Sequence, residues 1–347
     1  MTQTVTQVKR PELMIPEIFE QNYTPESEVF TLIYDVKSSV RSMDWNGDML
    51  ALAQDSRITI LSPVPKTAPL AKNLPSQLQQ EWVFQVSVVP MKAATQLRFT
   101  SKYIVASLES GEIVVINHLD GSQLQLGVSG HASDINSVDV SDSGLVVSCD
   151  DDSRVVIWEH GKPVKTAYTN GIPTLVKFWL DKEADKILVV EDGKRVKIYD
   201  WRKDTWLATI YPLPDAQNCK PYILDVTILN GNVVVIGDGW WKEYNTTTMQ
   251  GGAGYTYPTA EESLSGWIAD SKYISSNTAP LIGSIGNDRS CYYDLTSRAG
   301  QGQQFKLQLP SVSVPAGAIN QHGVVAFVSG SKLILSKPFD SYETMQY

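Results

Sequence analysis

A chain of 347 residues with 42% hydrophobic and 19% charged residues has the composition of a folded globular protein, large enough to need no disulfide staples. Its 29 Lys and Arg against 38 Asp and Glu leave a net charge of −9, the wrong sign for a surface that grips phosphates, so no direct nucleic-acid partner is expected. No stretch approaches the ~18 consecutive apolar residues of a membrane span, which sets membrane insertion aside.

The opening run MTQTVTQVKRPELM has no apolar core of the kind a signal peptide carries, so an intracellular chain is expected. Its three cysteines, Cys149, Cys219 and Cys291, are odd in number and form no CxxC pair, which predicts reduced thiols rather than a disulfide framework or a zinc ribbon. Residues 1–28 are polar with three prolines and read as an N-terminal extension. The first regular strand is Val29–Tyr34. Short runs follow in chain order: SRITIL, EIVVIN, SRVVIW, KRVKIY, CYYDL and KLILS. All are rich in Val, Ile and Tyr and bounded by Gly, Asn, Asp or Ser, as strands are. No amphipathic helical pattern of twelve or more residues interrupts them, so the fold class is all-β.

Spacing adds the architecture. The last large residues of successive runs are Leu61, Ile116, Trp158, Tyr199, Tyr244, Tyr293 and Leu335, with gaps of 55, 42, 41, 45, 49 and 42 residues. A period of roughly forty to fifty residues with about four strands per unit is the signature of a β-propeller. Seven units predict seven blades. An aspartate six residues before three of the markers (Asp55, Asp152, Asp238) suits a tight turn between the second and third strands of a unit. The last unit, about 312–338, offers only three strands, so Val29–Tyr34 is expected to supply its fourth and close the ring. The domain reading is therefore a 1–28 extension, a propeller over 29–338 and a 339–347 tail. The 55-residue gap contains a Pro-rich insertion, SPVPKTAPLAKNLPSQLQQ, over 62–80; other irregular loops lie at 248–263 and 297–304.

Unit three, GHASDINSVDVSDSGLVVSCDDDSRVVIWEHG, places Gly130-His131 near its start and Trp158-Glu159 near its end. This matches the GH…WD pattern of WD40 repeats, with Glu for the last Asp. The resemblance implies a hydrogen-bonded structural network of His131, Ser148, Asp152 and Trp158. Its donors and acceptors can satisfy one another, since Trp only donates, carboxylate only accepts and His does both. His, Ser and Asp are also the ingredients of a nucleophilic triad, but no GxSxG-type elbow occurs. The three adjacent aspartates do not make a calcium loop, because Arg154, Val155 and Gly161 stand where a carboxylate, glycine and glutamate are needed. His131, His160 and Cys149 lack zinc spacing. No cofactor or metal is expected. On this reading Asp150 and Asp151 are solvated.

Two further groups are candidate partner-binding residues. Leu13, Met14, Ile15, Ile18 and Phe19 form an apolar cluster in the extension, which either packs back on the ring or docks on a partner. Trp240-Trp241 reads as an aromatic anchor, or, by strand alternation, as one buried and one exposed ring.

Units three and four together resemble a particular family, the small WD40 nucleoporins of the Y-shaped outer-ring complex of the nuclear pore. The residues that carry the likeness are Gly130, His131, Asp134, Ile135 and Asn136; Asp151, Asp152 and Trp158; then Leu188, Val189, Glu191, Tyr199 and Asp200. They span 130–210, under a quarter of the chain. The resemblance implies a non-enzymatic scaffold at the nuclear envelope that supports pore assembly and nucleocytoplasmic transport. Its partner would be the large short-arm nucleoporin, a propeller followed by a helical domain. Two alternatives are an adaptor of another assembly, such as a ubiquitin-ligase substrate receptor or a chromatin-complex subunit, and a propeller enzyme. The enzyme draws little from four scattered histidines at 118, 131, 160 and 322.

Overall fold

Runs of four to nine β-branched and aromatic residues, cut by turn formers, are too short for helices and pair as strands. The computed structural model describes residues 12–15, 18–24, 27–64, 83–126, 131, 133–179, 185–212, 222–229, 231–237, 240–256, 263–268, 281–286, 290–295, 303–308, 317–320 and 324–338. Three strands open the chain: β1 (Glu12–Met14), β2 (Ile18–Thr24) and β3 (Ser27–Asp35). Blade 1 follows with β4 (Val40–Asn46), β5 (Met49–Gln54), β6 (Arg57–Pro63) and β7 (Phe84–Pro90), and blade 2 with β8 (Ala94–Phe99), β9 (Tyr103–Leu108), β10 (Ile113–Asn117) and β11 (Gln123–Leu126). Blade 3 has β12 (Ile135–Val140), β13 (Val146–Asp150), β14 (Arg154–Glu159) and β15 (Lys162–Tyr168). Blade 4 has β16 (Pro173–Phe178), β17 (Lys186–Glu191), β18 (Arg195–Asp200) and β19 (Thr205–Ile210). Blade 5 has β20 (Ile223–Leu229), β21 (Asn232–Gly237), β22 (Trp240–Asn245) and β23 (Gly251–Thr256). Blade 6 has β24 (Ser263–Ile268), β25 (Leu281–Gly286), β26 (Ser290–Leu295) and β27 (Gln303–Gln308), and blade 7 has β28 (Gly317–Ile319), β29 (Val325–Ser329) and β30 (Lys332–Pro338).

Among the described residues these strands form seven antiparallel sheets, one per blade. The first strand of each blade lies innermost and the next three step outward. In blades 1 to 6 the pairing of the first two strands shifts register at the same place, for example between Ile135 and Ser137 in blade 3 and between Pro173 and Leu175 in blade 4. A bulge bends its strand and raises its twist. Its recurrence shows that the blades are copies of one unit despite their divergent sequences.

The ring closes as the strand count requires. β3 pairs antiparallel with β30 from Val29 opposite Pro338 to Asp35 opposite Lys332, completing blade 7. The stretch set apart as an extension goes further. β2 pairs with β3 as a fifth strand of blade 7, and β1 pairs with β7 as a fifth strand of blade 1. The chain from Glu12 onward thus contributes to two adjacent blades, so the propeller begins well before residue 29. The Pro-rich insertion leaves the β6–β7 hairpin, whose base is held by Val64 N–H donating to Val83 O at 2.9 Å. Most of that insertion and the 339–347 tail lie outside the described residues.

The core lies between blades. Along β13 and β14, Val146, Val156 and Trp158 pack toward blade 2 with Val105, Ile113 and Val138. Their alternates Val147, Cys149, Val155 and Ile157 pack toward blade 4 with Val176, Ile187 and Tyr199. Both faces of a blade are therefore interior, and period-two alternation separates two cores rather than core from solvent.

This overturns the reading of Trp240-Trp241. Both rings are buried, at 1% and 5% exposure, and neither is a surface anchor. Trp240 joins the core between blades 4 and 5 and lies over its cross-strand partner Gly237, where a Cβ would fall 2.0 Å from the indole.

Candidate functional site

The polar constellation of blade 3 is built by three elements: the segment entering β12, the end of β13 and the end of β14. Trp158 Nε1–H donates to Ser148 Oγ at 2.8 Å, and Ser148 Oγ is hydrogen-bonded to His131 Nε2. His131 Nδ1 is 2.8 Å from Asp150 Oδ2. Because indole can only donate, one consistent chain of protons results. Ser148 accepts from Trp158 and donates its O–H to a neutral His131, which donates its Nδ1–H to the Asp150 carboxylate. Burial lowers the His131 pKa, against the opposing pull of Asp150, so the neutral imidazole this chain requires is the stable form.

The aspartate of the network is Asp150, correcting the assignment to Asp152. Strand alternation explains it. Asp150 continues the parity of Val146 and Ser148, facing blade 2 with Trp158, whereas Asp152 lies beyond the strand end in the turn. Asp150 is fully buried and hence not solvated. Its Oδ1 accepts the backbone N–H of Asp152 (3.1 Å) and of Arg154 (3.0 Å). Arg154 Nε lies 3.0 Å from Asp150 Oδ2 without its N–H aimed at that oxygen, an ion pair rather than a straight hydrogen bond. Asp152 is exposed and meets Arg154 Nη2 at 3.0 Å. Gly130 lies outside the described residues.

An Asp–His–Ser relay is also the connectivity of a nucleophilic triad. Here the serine is 0% exposed and its oxygen is occupied by the indole N–H, so nothing can reach it. Cys149 is equally closed off: its thiol donates to Pro173 O at 3.2 Å, and burial raises its pKa. Among the described residues no three His, Cys, Asp or Glu side chains converge as a metal group.

The position of Asp150 is filled differently in neighbouring blades. In blade 4 it is Glu191, 1% exposed, whose Oε1 accepts the backbone N–H groups of Asn170 (2.7 Å) and Gly171 (3.0 Å), and which is paired with Arg195. In blade 1 it is Gln54, whose Oε1 accepts from Arg57 and Thr59 while its amide donates to Val36 O and Ser38 Oγ. Three different side chains thus satisfy the same blade corner.

Sequence reading missed a second device, on the innermost strands. Ser42 and Asp44 of β4 accept the backbone N–H of Leu97 (3.1 Å) and Phe99 (2.8 Å) of blade 2. Ser137 and Asp139 of β12 do the same for Val176 (3.2 Å) and Phe178 (2.7 Å) of blade 4. The signal was a Ser-x-Asp spacing in RSMDW and NSVDV, which puts both oxygens on one side of a strand.

Of the apolar N-terminal candidates, Leu13 and Met14 sit in β1 opposite Gln85 and Phe84, and Met14 packs on the core shared by blades 7 and 1. Ile15 remains 43% exposed. With Val86 and Val88 these three line a cavity of about 280 Å³. Ile18 and Phe19 belong to β2, opposite Ile33 and Leu32, and their side chains lie outside the described residues.

Seven blades of four strands, two of them extended by a fifth, a closing strand from the N-terminal part of the chain and a His–Ser–Asp–Trp network in blade 3 define, among the described residues, a WD40-like β-propeller. Among solved structures the chain is similar to a WD40 propeller in the crystal structure of the mitotic checkpoint complex. The TM-score is 0.63 at 12% identity, covering 97% of this chain and 99% of that one. In all, 1498 chains of solved structures match, so the likeness specifies an architecture and no partner. No family model matches the sequence, and no curated protein matches it.

Proposed function

We propose that this chain is a non-catalytic protein scaffold, and within that class a subunit of the Y-shaped outer-ring complex of the nuclear pore that binds the large short-arm nucleoporin. The observation that carries the scaffold reading is the blade 3 network, where every reactive-looking group is spent inside the fold. Trp158, Ser148, His131 and Asp150 satisfy one another in the interior and leave none of their groups for a substrate. The similar propeller of the mitotic checkpoint complex belongs to a multi-protein assembly, which supports protein partners here as well. The finer reading rests on the likeness over 130–210. A permanent partner needs a matching patch of about 800 Å² per side, which a disc with exposed turns and blade edges can supply.

Affinity purification of the tagged full chain from nuclear-envelope extract tests the assignment. Pore scaffold subunits, the large short-arm nucleoporin foremost, are the expected co-purifying proteins. Recovery of ubiquitin-ligase or chromatin subunits without pore subunits overturns the nuclear-pore reading and leaves the scaffold reading standing.

A further inference from the structure

Ten large hydrophobic side chains are exposed among the described residues, and four of them gather on one end of blades 3 to 5. Tyr168 ends β15, Ile172 precedes β16, Tyr211 follows β19 and Tyr222 precedes β20. Tyr168 lies opposite Arg154 in blade 3, and Ile172, Tyr211 and Tyr222 flank the turn between β17 and β18. Asp192 and Gly193 there both hold positive φ, 55° and 62°. Ile172 clasps that turn from one side, its N–H donating to Asp192 Oδ1 at 2.9 Å and its carbonyl accepting the Asp192 N–H at 2.7 Å. Tyr222 lies over Gly193 from the other side, where a Cβ would meet its ring at 2.5 Å. The Tyr211 hydroxyl lies beside the Arg195 guanidinium just beyond. The four residues therefore share one end of three consecutive blades rather than being scattered over the surface.

Charge decides what such a surface fits. Each arginine at the patch is shared by two acids: Arg154 pairs with buried Asp150 and exposed Asp152, and Arg195 with buried Glu191 and exposed Asp192. Two more exposed carboxylates, Asp134 and Asp151, stand here against the exposed ammonium of Lys194, so acidic groups outnumber basic ones. Tyrosine faces attract cations, and carboxylates pair with guanidinium and ammonium groups. We propose that this end of blades 3 to 5 docks an extended basic segment of a protein partner, its Arg or Lys side chains resting on Tyr168, Tyr211 and Tyr222 and pairing with the surrounding aspartates. The proposal rests on the scaffold reading and names the partner's chemistry. Its test uses no pore subunit, so the two can fail separately.

Fluorescence anisotropy of the full chain would be measured with a labelled peptide of roughly twelve residues alternating Arg and Ala, and with its Glu–Ala counterpart. The Arg peptide binds, and the double variant Tyr168→Ser with Tyr211→Ser weakens it about tenfold or more, as loss of interface aromatics does. Asp48→Asn with Asp142→Asn removes two carboxylates from turns at the other end of the strands, and changes binding less than about twofold if the site is local. Thermal melts check that the variants fold; if the double variant does not, Tyr168→Ser alone, at a side chain 65% exposed, carries the comparison. Equal losses from both double variants mean diffuse attraction to an acidic chain and overturn the proposal. So does tighter binding of the Glu peptide, or self-association of the chain that the tyrosine variant abolishes.

Discussion

Replacing Asp150 by alanine tests which acid holds blade 3 together. Three hydrogen-bond donors and one cation converge on this fully buried carboxylate: His131 Nδ1, the backbone N–H groups of Asp152 and Arg154, and the Arg154 guanidinium. Each buried donor left without an acceptor costs about 1–3 kcal/mol. Breaking a buried ion pair by removing one partner costs about 3–5 kcal/mol. The turn is near solvent and water can re-satisfy some of the donors, so a total of about 3–5 kcal/mol is expected, a large part of the ~5–15 kcal/mol that holds a folded protein. Asp152→Ala removes only an exposed pair with Arg154, worth about 0–1 kcal/mol. Urea-unfolding midpoints of the two variants, with circular dichroism as the probe, make the comparison. Equal losses, or a larger loss for Asp152→Ala, would refute the register argument that puts Asp150 in the network.

Three further outcomes follow from the same structure. Burial lowers the His131 pKa in the folded state, so between the folded value and about 6.5 the unfolded chain binds more protons. Stability is then full above about pH 6.5 and declines as pH falls through the folded value; His131→Gln should flatten that slope, and an unchanged slope would exclude His131 as its source. Gly193→Ala strains a position at φ 62° and drives a Cβ into the Tyr222 ring, and a loss of about 1–3 kcal/mol is expected by thermal melting, against near-zero if the turn relaxes freely. A chain starting at residue 27 keeps β3 and should retain a closed ring by small-angle scattering. One starting at residue 36 loses every pairing of β3 with β30 and should expand and melt earlier, and equal melting of the two would refute the closure.

Much of the architecture was legible because strands and repeats write themselves locally. Alternating Val and Ile between turn residues, at a spacing of forty to fifty residues, specifies an all-β chain of repeated four-stranded units. The shortage of one strand in the last unit pointed to Val29–Tyr34 as its partner. The composition of the blade 3 network was also readable, since His131, Ser148 and Trp158 are the residues that meet. Other features depended on which side of a strand a residue takes and on what lies against that side. Asp150 and Asp152 are chemically identical and two positions apart, and only the end point of β13 puts one in the interior and the other in the turn. Trp240 and Trp241 suggested an exposed ring because alternation is usually read as inside against outside. In a propeller each blade is packed on both faces, so both rings are buried and the usual inference fails. Residues 12–24 look detached in sequence because strand pairing is made with residues far away in the chain, β7 for β1 and β3 for β2. The sequence by itself determined the all-β class, the seven-fold repeat and the residue types of the corner. The tertiary structure alone decided which acid turns inward, which aromatics reach solvent and how the N-terminus joins two blades, because each depends on contacts between segments distant in sequence.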